Sequence, residues 1–298
     1  FQTVERQRPN RYVEYRIGWM LLHGVGTEQD ESAALEWLEK SAELKNTYAE
    51  YQMAKHILAD PSAKPEQTRQ AVGWLTHAAE AGLDCAQYAL GKLYRDGGSV
   101  AQDMTQAVIR FSQAAERGNQ YAMYALGKLR LEADDPAAAR RWFQQSADLG
   151  NQFAQYRLGK LLLCGDGVAK DTAGAVRWLT ESAEQGNQYA QYALGKLYLL
   201  GKDIPQDRES AVRWFTLAAE QGNEYARYFL DHMNDSPSLF ASATRLLHHM
   251  GRIFQEQAPP PSGGISFVDS KLRRKIREKK IAMGHKPDDH EEQGIELK

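Results

Sequence analysis

Apolar positions along this chain recur at helical spacing, and they do so twice in every stretch of about 36 residues. In 187–200, Ala190, Leu194, Leu197 and Tyr198 fall at i, i+4, i+7 and i+8, one stripe of a helix. In 207–221, Ala211, Trp214, Phe215, Ala218 and Ala219 make a second stripe. The polar punctuation between them agrees. Asn187 follows Gly186, so an N-cap follows a left-handed stop. Asn119, Asn151 and Asn223 repeat that role, and Asp103 with Gln106 fits a capping box. Gly201, Pro205 and Asp207 supply a turn, a helix block and a second N-cap. The pattern predicts pairs of antiparallel helices, A then B.

The pairs repeat. NQYAQYALGKLYLLG at 187–201 has near-copies at 86–94, 119–129 and 151–161. The small residue of "ALGK" falls at Gly18, Ala54, Gly91, Gly127, Gly159, Gly195 and Asp231, in steps of 36, 37, 36, 32, 36 and 36. A second marker, a tryptophan slot, falls at Trp37, Trp74, Arg110, Trp142, Trp178 and Trp214 and keeps the same period. A trimmed loop around Glu132–Pro136 explains the short step. Glycine inside helix A costs about 1 kcal/mol against alanine, so its recurrence predicts a close approach of helix A to helix B. The tryptophans sit on the buried stripe of helix B and are expected in the core.

The quoted residues Ala190 to Gly201 and Asp207 to Asn223 resemble the Sel-one-like repeats, relatives of the tetratricopeptide repeats. The match runs with drift from Tyr12 to Met233 and weakens in the first two units, where Trp19 follows Gly18 and Ala54 replaces the glycine. The resemblance implies an all-α solenoid of about six antiparallel helix pairs. It also implies a right-handed superhelix, a concave face made mainly by the A helices, and a role as a scaffold for protein contacts.

On the A helices a second set of residues shares one face, well away from the core stripe: Tyr189, Tyr192 and Lys196, at i, i+3 and i+7. It recurs as Tyr48, Tyr51, Lys55; as Tyr121, Tyr124, Lys128; as Phe153, Tyr156, Lys160; and in part as Tyr88, Lys92 and Tyr225, Tyr228. If the A helices line a groove, this is an aromatic and cationic ladder suited to an acidic peptide or a single strand of nucleic acid. The alternative is that one tyrosine of each pair packs between neighbouring A helices and the lysines are merely solvated.

Composition changes little. Of 298 residues, 42% are apolar and 26% charged, and net charge is −2, so nothing global points to nucleic acid or membrane. Two distant cysteines, Cys85 and Cys164, fit a reducing, cytoplasmic setting. No run reaches the ~18 apolar residues of a membrane span. The eight histidines form no zinc motif, and neither a phosphate-binding loop nor a nucleophile elbow occurs. HKPDDH at 285–290 is at best a weak chelator. The expectation is a protein without catalysis, metal, cofactor or small-molecule substrate.

The ends read differently. Residues 1–11 are an entry segment, expected to continue from a longer polypeptide. Residues 12–233 form the solenoid. Residues 234–256 predict a helix capping it, with Leu239, Ala243, Leu246, Leu247, Met250 and Phe254 at helical spacing. Residues 257–268 contain PPPSGG, a linker. In 269–298, Lys271, Arg273, Arg274, Lys275, Arg277, Lys279 and Lys280 crowd eleven positions against one acid, Glu278. That predicts a basic helix for DNA or an acidic partner, followed by an acidic tail. From Arg245 to Glu292 the chain resembles the C-terminal end of bacterial mobilisation relaxases of the MobA/MobL type. That likeness implies an accessory region of a DNA-nicking protein whose catalytic domain lies elsewhere. A stand-alone adaptor in signalling or envelope regulation is the other reading.

Overall fold

The computed structural model describes residues 9–232, and among them thirteen helices and no strand. The A helices are α1 (Arg11–His23), α3 (Thr47–Ala59), α5 (Asp84–Asp96), α7 (Gln120–Glu132), α9 (Gln152–Cys164) and α11 (Gln188–Leu200). The B helices are α2 (Glu31–Glu43), α4 (Pro65–Glu80), α6 (Met104–Glu116), α8 (Pro136–Asp148), α10 (Thr172–Glu184) and α12 (Arg208–Glu220). α13 (Glu224–His232) opens a seventh unit. Each A helix packs most extensively on its own B helix, and each B helix on the next A helix, so the chain stacks as a solenoid. The expected capping helix, linker and basic tail lie outside the described residues.

The ends of the helices follow the predicted chemistry. Asn10, Asn46, Asn119, Asn151, Asn187 and Asn223 cap A helices, the Oδ1 of each accepting a backbone N–H. Asp30, Asp103, Asp135, Asp171 and Asp207 do the same for B helices. Of the capping box expected at Asp103, the arm from Asp103 to the Gln106 N–H is present at 3.0 Å. Gln67 makes the opposite arm on α4, where its Oε1 accepts from the Lys64 N–H. Gly186 adopts φ +91°, as the left-handed stop requires.

The glycine of helix A is explained by what faces it. A Cβ on Gly91, Gly127 or Gly195 would lie 2.7, 2.6 or 2.6 Å from the ring of Phe111, Phe143 or Phe215. On Gly18 and Gly159 it would meet Leu38 and Leu179. In every case the facing residue stands one place after the tryptophan slot. That next position is the centre of the core, and Leu38, Leu75, Phe111, Phe143, Leu179 and Phe215 are all fully buried. The tryptophan expectation is therefore corrected in part. Trp74, Trp178 and Trp214 are buried, but Trp37 and Trp142 are only partly covered. One step along a helix turns 100°, which carries the tryptophan to the edge of the stripe. There its face takes a cation: Lys40 Nζ lies 4.4 Å from the Trp37 ring and Arg177 Cζ 4.3 Å from Trp178.

Polar side chains join the helices. Ser41, Ser146 and Ser182 are fully buried on B helices and donate to the first-turn carbonyls of Arg11, Gln120 and Gln152 on their A helices. Gln87, Gln155 and Gln191 donate back across the unit boundary to the carbonyls of Ala79, Ala147 and Ala183. In the first two units this slot holds Glu14 and Glu50, both buried. Glu50 Oε2 lies 2.5 Å from His77 Nδ1, and Lys45 Nζ is 3.8 Å from Oε1.

Candidate functional site

The two tyrosines of each unit have different surroundings. The first ring is exposed: Tyr48 by 55%, Tyr121 by 49%, Phe153 by 45%, Tyr189 by 54% and Tyr225 by 40%. The second is half-buried at Tyr51, Tyr88, Tyr124, Tyr156, Tyr192 and Tyr228. Tyr88, Tyr124 and Tyr192 rest at 5.8–6.0 Å on Phe111, Phe143 and Phe215, the rings that fill the glycine gaps.

The second ring of one unit also meets the first ring of the next. Tyr15–Tyr48, Tyr88–Tyr121, Tyr124–Phe153, Tyr156–Tyr189 and Tyr192–Tyr225 have centroids 5.9–6.2 Å apart. One ring packs between A helices, and the other stands out beside it. At the second junction Cys85 replaces the first ring, and its thiol meets the Tyr51 side chain. Rings thus join successive A helices at five junctions and form an aromatic strip that is interrupted at Cys85.

The lysines follow the same strip. Lys55, Lys92, Lys128, Lys160 and Lys196 come one in each of units two to six, and none forms an ion pair with a described residue. Burial, and then the neighbouring Arg95, push the Lys128 ammonium below the ordinary lysine pKa. Burial does the same to Lys160, whose Nζ lies 5.9 Å from the Tyr156 centroid. The strip is therefore a row of positive charge among rings, partly covered at Lys128 and Lys196 and exposed at Lys55, Lys92 and Lys160. Glu132 and Asp96 sit at its edge and oppose the shift at Lys128.

Sequence reasoning found the ladder but missed the polar slot four residues before the glycine. A charged residue where other units carry glutamine was the available signal at Glu14 and Glu50. Among the described residues, no group of three or more His, Cys, Asp or Glu could hold a metal ion, and no helix is long and apolar enough to cross a membrane. Lys271, Arg273, Arg274, Lys275, Arg277, Lys279 and Lys280 lie outside the described residues.

Comparison with known proteins decides the family. The model of the Sel1 repeat matches six times, at residues 12–46, 47–83, 86–119, 120–151, 152–187 and 188–223. The chain belongs to the Sel1 repeat family. A Sel1 repeat protein from Oxalobacter formigenes is 31% identical with a TM-score of 0.68, over 76% of this chain and 67% of that one. The protective antigen c5321 of uropathogenic Escherichia coli, described as displaying an SLR fold, is 26% identical with a TM-score of 0.68. That likeness covers 85% of this chain and 58% of the antigen, so this Sel1 chain spans under two thirds of the antigen's length. No curated protein sequence matches it. The first match begins at Tyr12, where the repeats were expected to start.

Proposed function

We propose that this chain is a non-catalytic scaffold that holds an extended acidic segment of a partner protein along its A-helix strip. The observation that carries the reading is the row of five lysines, one in each of units two to six and without ion pairs, beside rings that touch from unit to unit. Tyr88, Lys92, Tyr121, Tyr124, Lys128, Tyr156, Lys160, Tyr189, Tyr192, Lys196, Tyr225 and Tyr228 are the contact set. Carboxylates supply the missing counter-charge, and exposed rings cover the apolar parts of an extended chain. The test is a labelled peptide of alternating glutamate and leucine, measured against the full chain and its Lys128→Glu, Lys160→Glu double variant. A loss of affinity of at least tenfold with an unchanged melting temperature supports the reading. Unchanged affinity, or tighter binding of a single-stranded oligonucleotide, overturns it.

The narrower role is an accessory region of a mobilisation relaxase in the cytoplasm. Its support is the likeness of residues 245–292, and the seven cations of 271–281 favour a DNA contact beside it. Reading the coding frame upstream of Phe1 tests the parentage. Salt-dependent DNA binding that survives neutralisation of 271–280 removes the tail's part.

A further inference from the structure

Two departures from the repeat meet in one cavity. The slot that holds tryptophan in five units is Arg110 in the third. The slot two residues before the A-helix cap holds Gln185 and Gln221 in the last two units, and Arg117 in the third. In those last units the repeat closes on itself: Gln185 Nε2 donates to Gln155 Oε1 at 2.7 Å, and Gln221 Nε2 to Gln191 Oε1 at 2.8 Å. The third unit does not close. Gln87 is 5% exposed, and its Nε2 is held by the Ala79 carbonyl, but its Oε1 has no partner. Arg110 Nη1 donates to Gln113 Oε1 at 3.2 Å, while its Nε is buried without one.

Gln87, Arg110 and Arg117 line a cavity of about 310 Å³, together with Glu80 and Glu116. None of the four charged side chains is in an ion pair with a described residue. Arg117 lies over the left-handed turn at Gly82, where a side chain would strike its guanidinium.

We propose that this cavity binds an α-amino carboxylate, a carboxylate carried next to an N–H donor. The two guanidiniums present the donors that a carboxylate accepts. Gln87 Oε1 accepts only, so it selects a ligand with an N–H. Glu80 and Glu116 balance the two arginines, which disfavours a phosphate dianion and suits a ligand of low net charge. The ligand is either a free amino acid or the last residue of a peptide; the two differ in whether the nitrogen is an ammonium or an amide. The site is separate from the lysine strip.

The repeat supplies its own control. Arg110→Trp restores the residue that five other units carry, and Arg117→Gln restores that of the last two. The experiment is titration calorimetry of the full chain with alanine, with N-acetylalanine, and with alaninamide, which lacks the carboxylate. Saturable binding of alanine or N-acetylalanine, at least tenfold weaker with alaninamide and in Arg110→Trp, supports the site. Preference between the first two probes identifies the source. No saturable heat from either, or equal binding by Arg110→Trp with its melting temperature intact, overturns it.

Discussion

Gly195 of α11 faces the ring of Phe215 on α12 so closely that a Cβ on the glycine would stand 2.6 Å from Phe215 Cδ1. Two effects compete when that position becomes alanine. Helix propensity favours alanine by about 1 kcal/mol. Overpacking of a filled core costs about 1–3 kcal/mol. The ring is fully buried and wedged between Gly195, Tyr192 and Phe229, so it has little room to move. Gly195→Ala is expected to lower stability by about 1 kcal/mol net. The second unit carries Ala54 and Leu75 at these two slots, both buried, so an alanine can be accommodated beside a leucine there, although leucine still crowds the slot at Gly18 and Gly159. Phe215→Leu should therefore cost less in the Gly195→Ala background than alone, and urea unfolding of the four chains measures it.

The buried Glu50 makes a different prediction. Its carboxylate is fully covered, with His77 at 2.5 Å and Lys45 at 3.8 Å. Removing His77 leaves a buried charge with one distant partner, and His77→Ala should cost about 2 kcal/mol. Glu50→Gln should cost far less, because glutamine at this slot donates to a carbonyl in later units. Combined with Glu50→Gln, His77→Ala should lose most of its effect. A double-mutant cycle at one pH decides it, and additive losses would remove the pair as a unit.

The caps are tested most simply at Asn187. Its Oδ1 accepts from the N–H groups of Tyr189 and Ala190 at 3.0 and 3.1 Å. Asn187→Ala is expected to lower stability by about 1 kcal/mol. Asn187→Asp should keep most of that stability, as the Asp caps of the B helices do. Thermal melts of both variants distinguish a capping role from a packing one.

The period, the caps and the close glycine were legible because each is a local rule repeated in five or six units, so drift in one unit is corrected by the others. The ladder was legible for the same reason, since Tyr189, Tyr192 and Lys196 share a helix face whatever the packing. That one tyrosine of each pair packs between A helices was among the readings, but which one was not legible, because the inner ring is buried by the next unit, at i+33 rather than i+3. The tryptophans were expected in the core, and three of the five are buried, but the residues one place on, such as Phe111 and Leu179, are covered more completely. The cavity at Arg110 left a signal in the sequence, a cation in the tryptophan slot. Only the orphaned Gln87 Oε1 gave it a meaning.

The lysine strip should respond to pH in a way that separates binding from folding. Lys128 and Lys160 are held below the usual lysine pKa, chiefly by burial. Between the depressed value and about 10.5 the unfolded chain binds more protons than the folded one, so these two groups raise stability as pH climbs. Binding a carboxylate does the reverse, because it stabilises the ammonium. An acidic peptide should therefore bind with uptake of protons in that range, and its affinity should fall as pH rises through the depressed pKa. Calorimetry in two buffers of different ionisation enthalpy counts the protons, and an uptake unchanged by Lys128→Met would show that this lysine does not meet the peptide.

Tyrosine acts at still higher pH and with the opposite sign to the lysines. Burial, with help from Tyr225 and Tyr156, pushes the Tyr192 phenol up to about 12, and burial also raises Tyr15, Tyr51, Tyr88 and Tyr156. A raised acid keeps its proton in the fold while the unfolded chain has lost its own. The fold therefore binds more protons above about pH 10, and stability falls as pH rises towards 12. Ultraviolet titration of the phenolate band should show a late class of phenols that ionises with loss of helix. Tyr192→Phe should remove one late group and make unfolding less steep with pH. If all phenols titrate together near 10 while the helices persist, the inner rings are open to water and the strip is not packed as described.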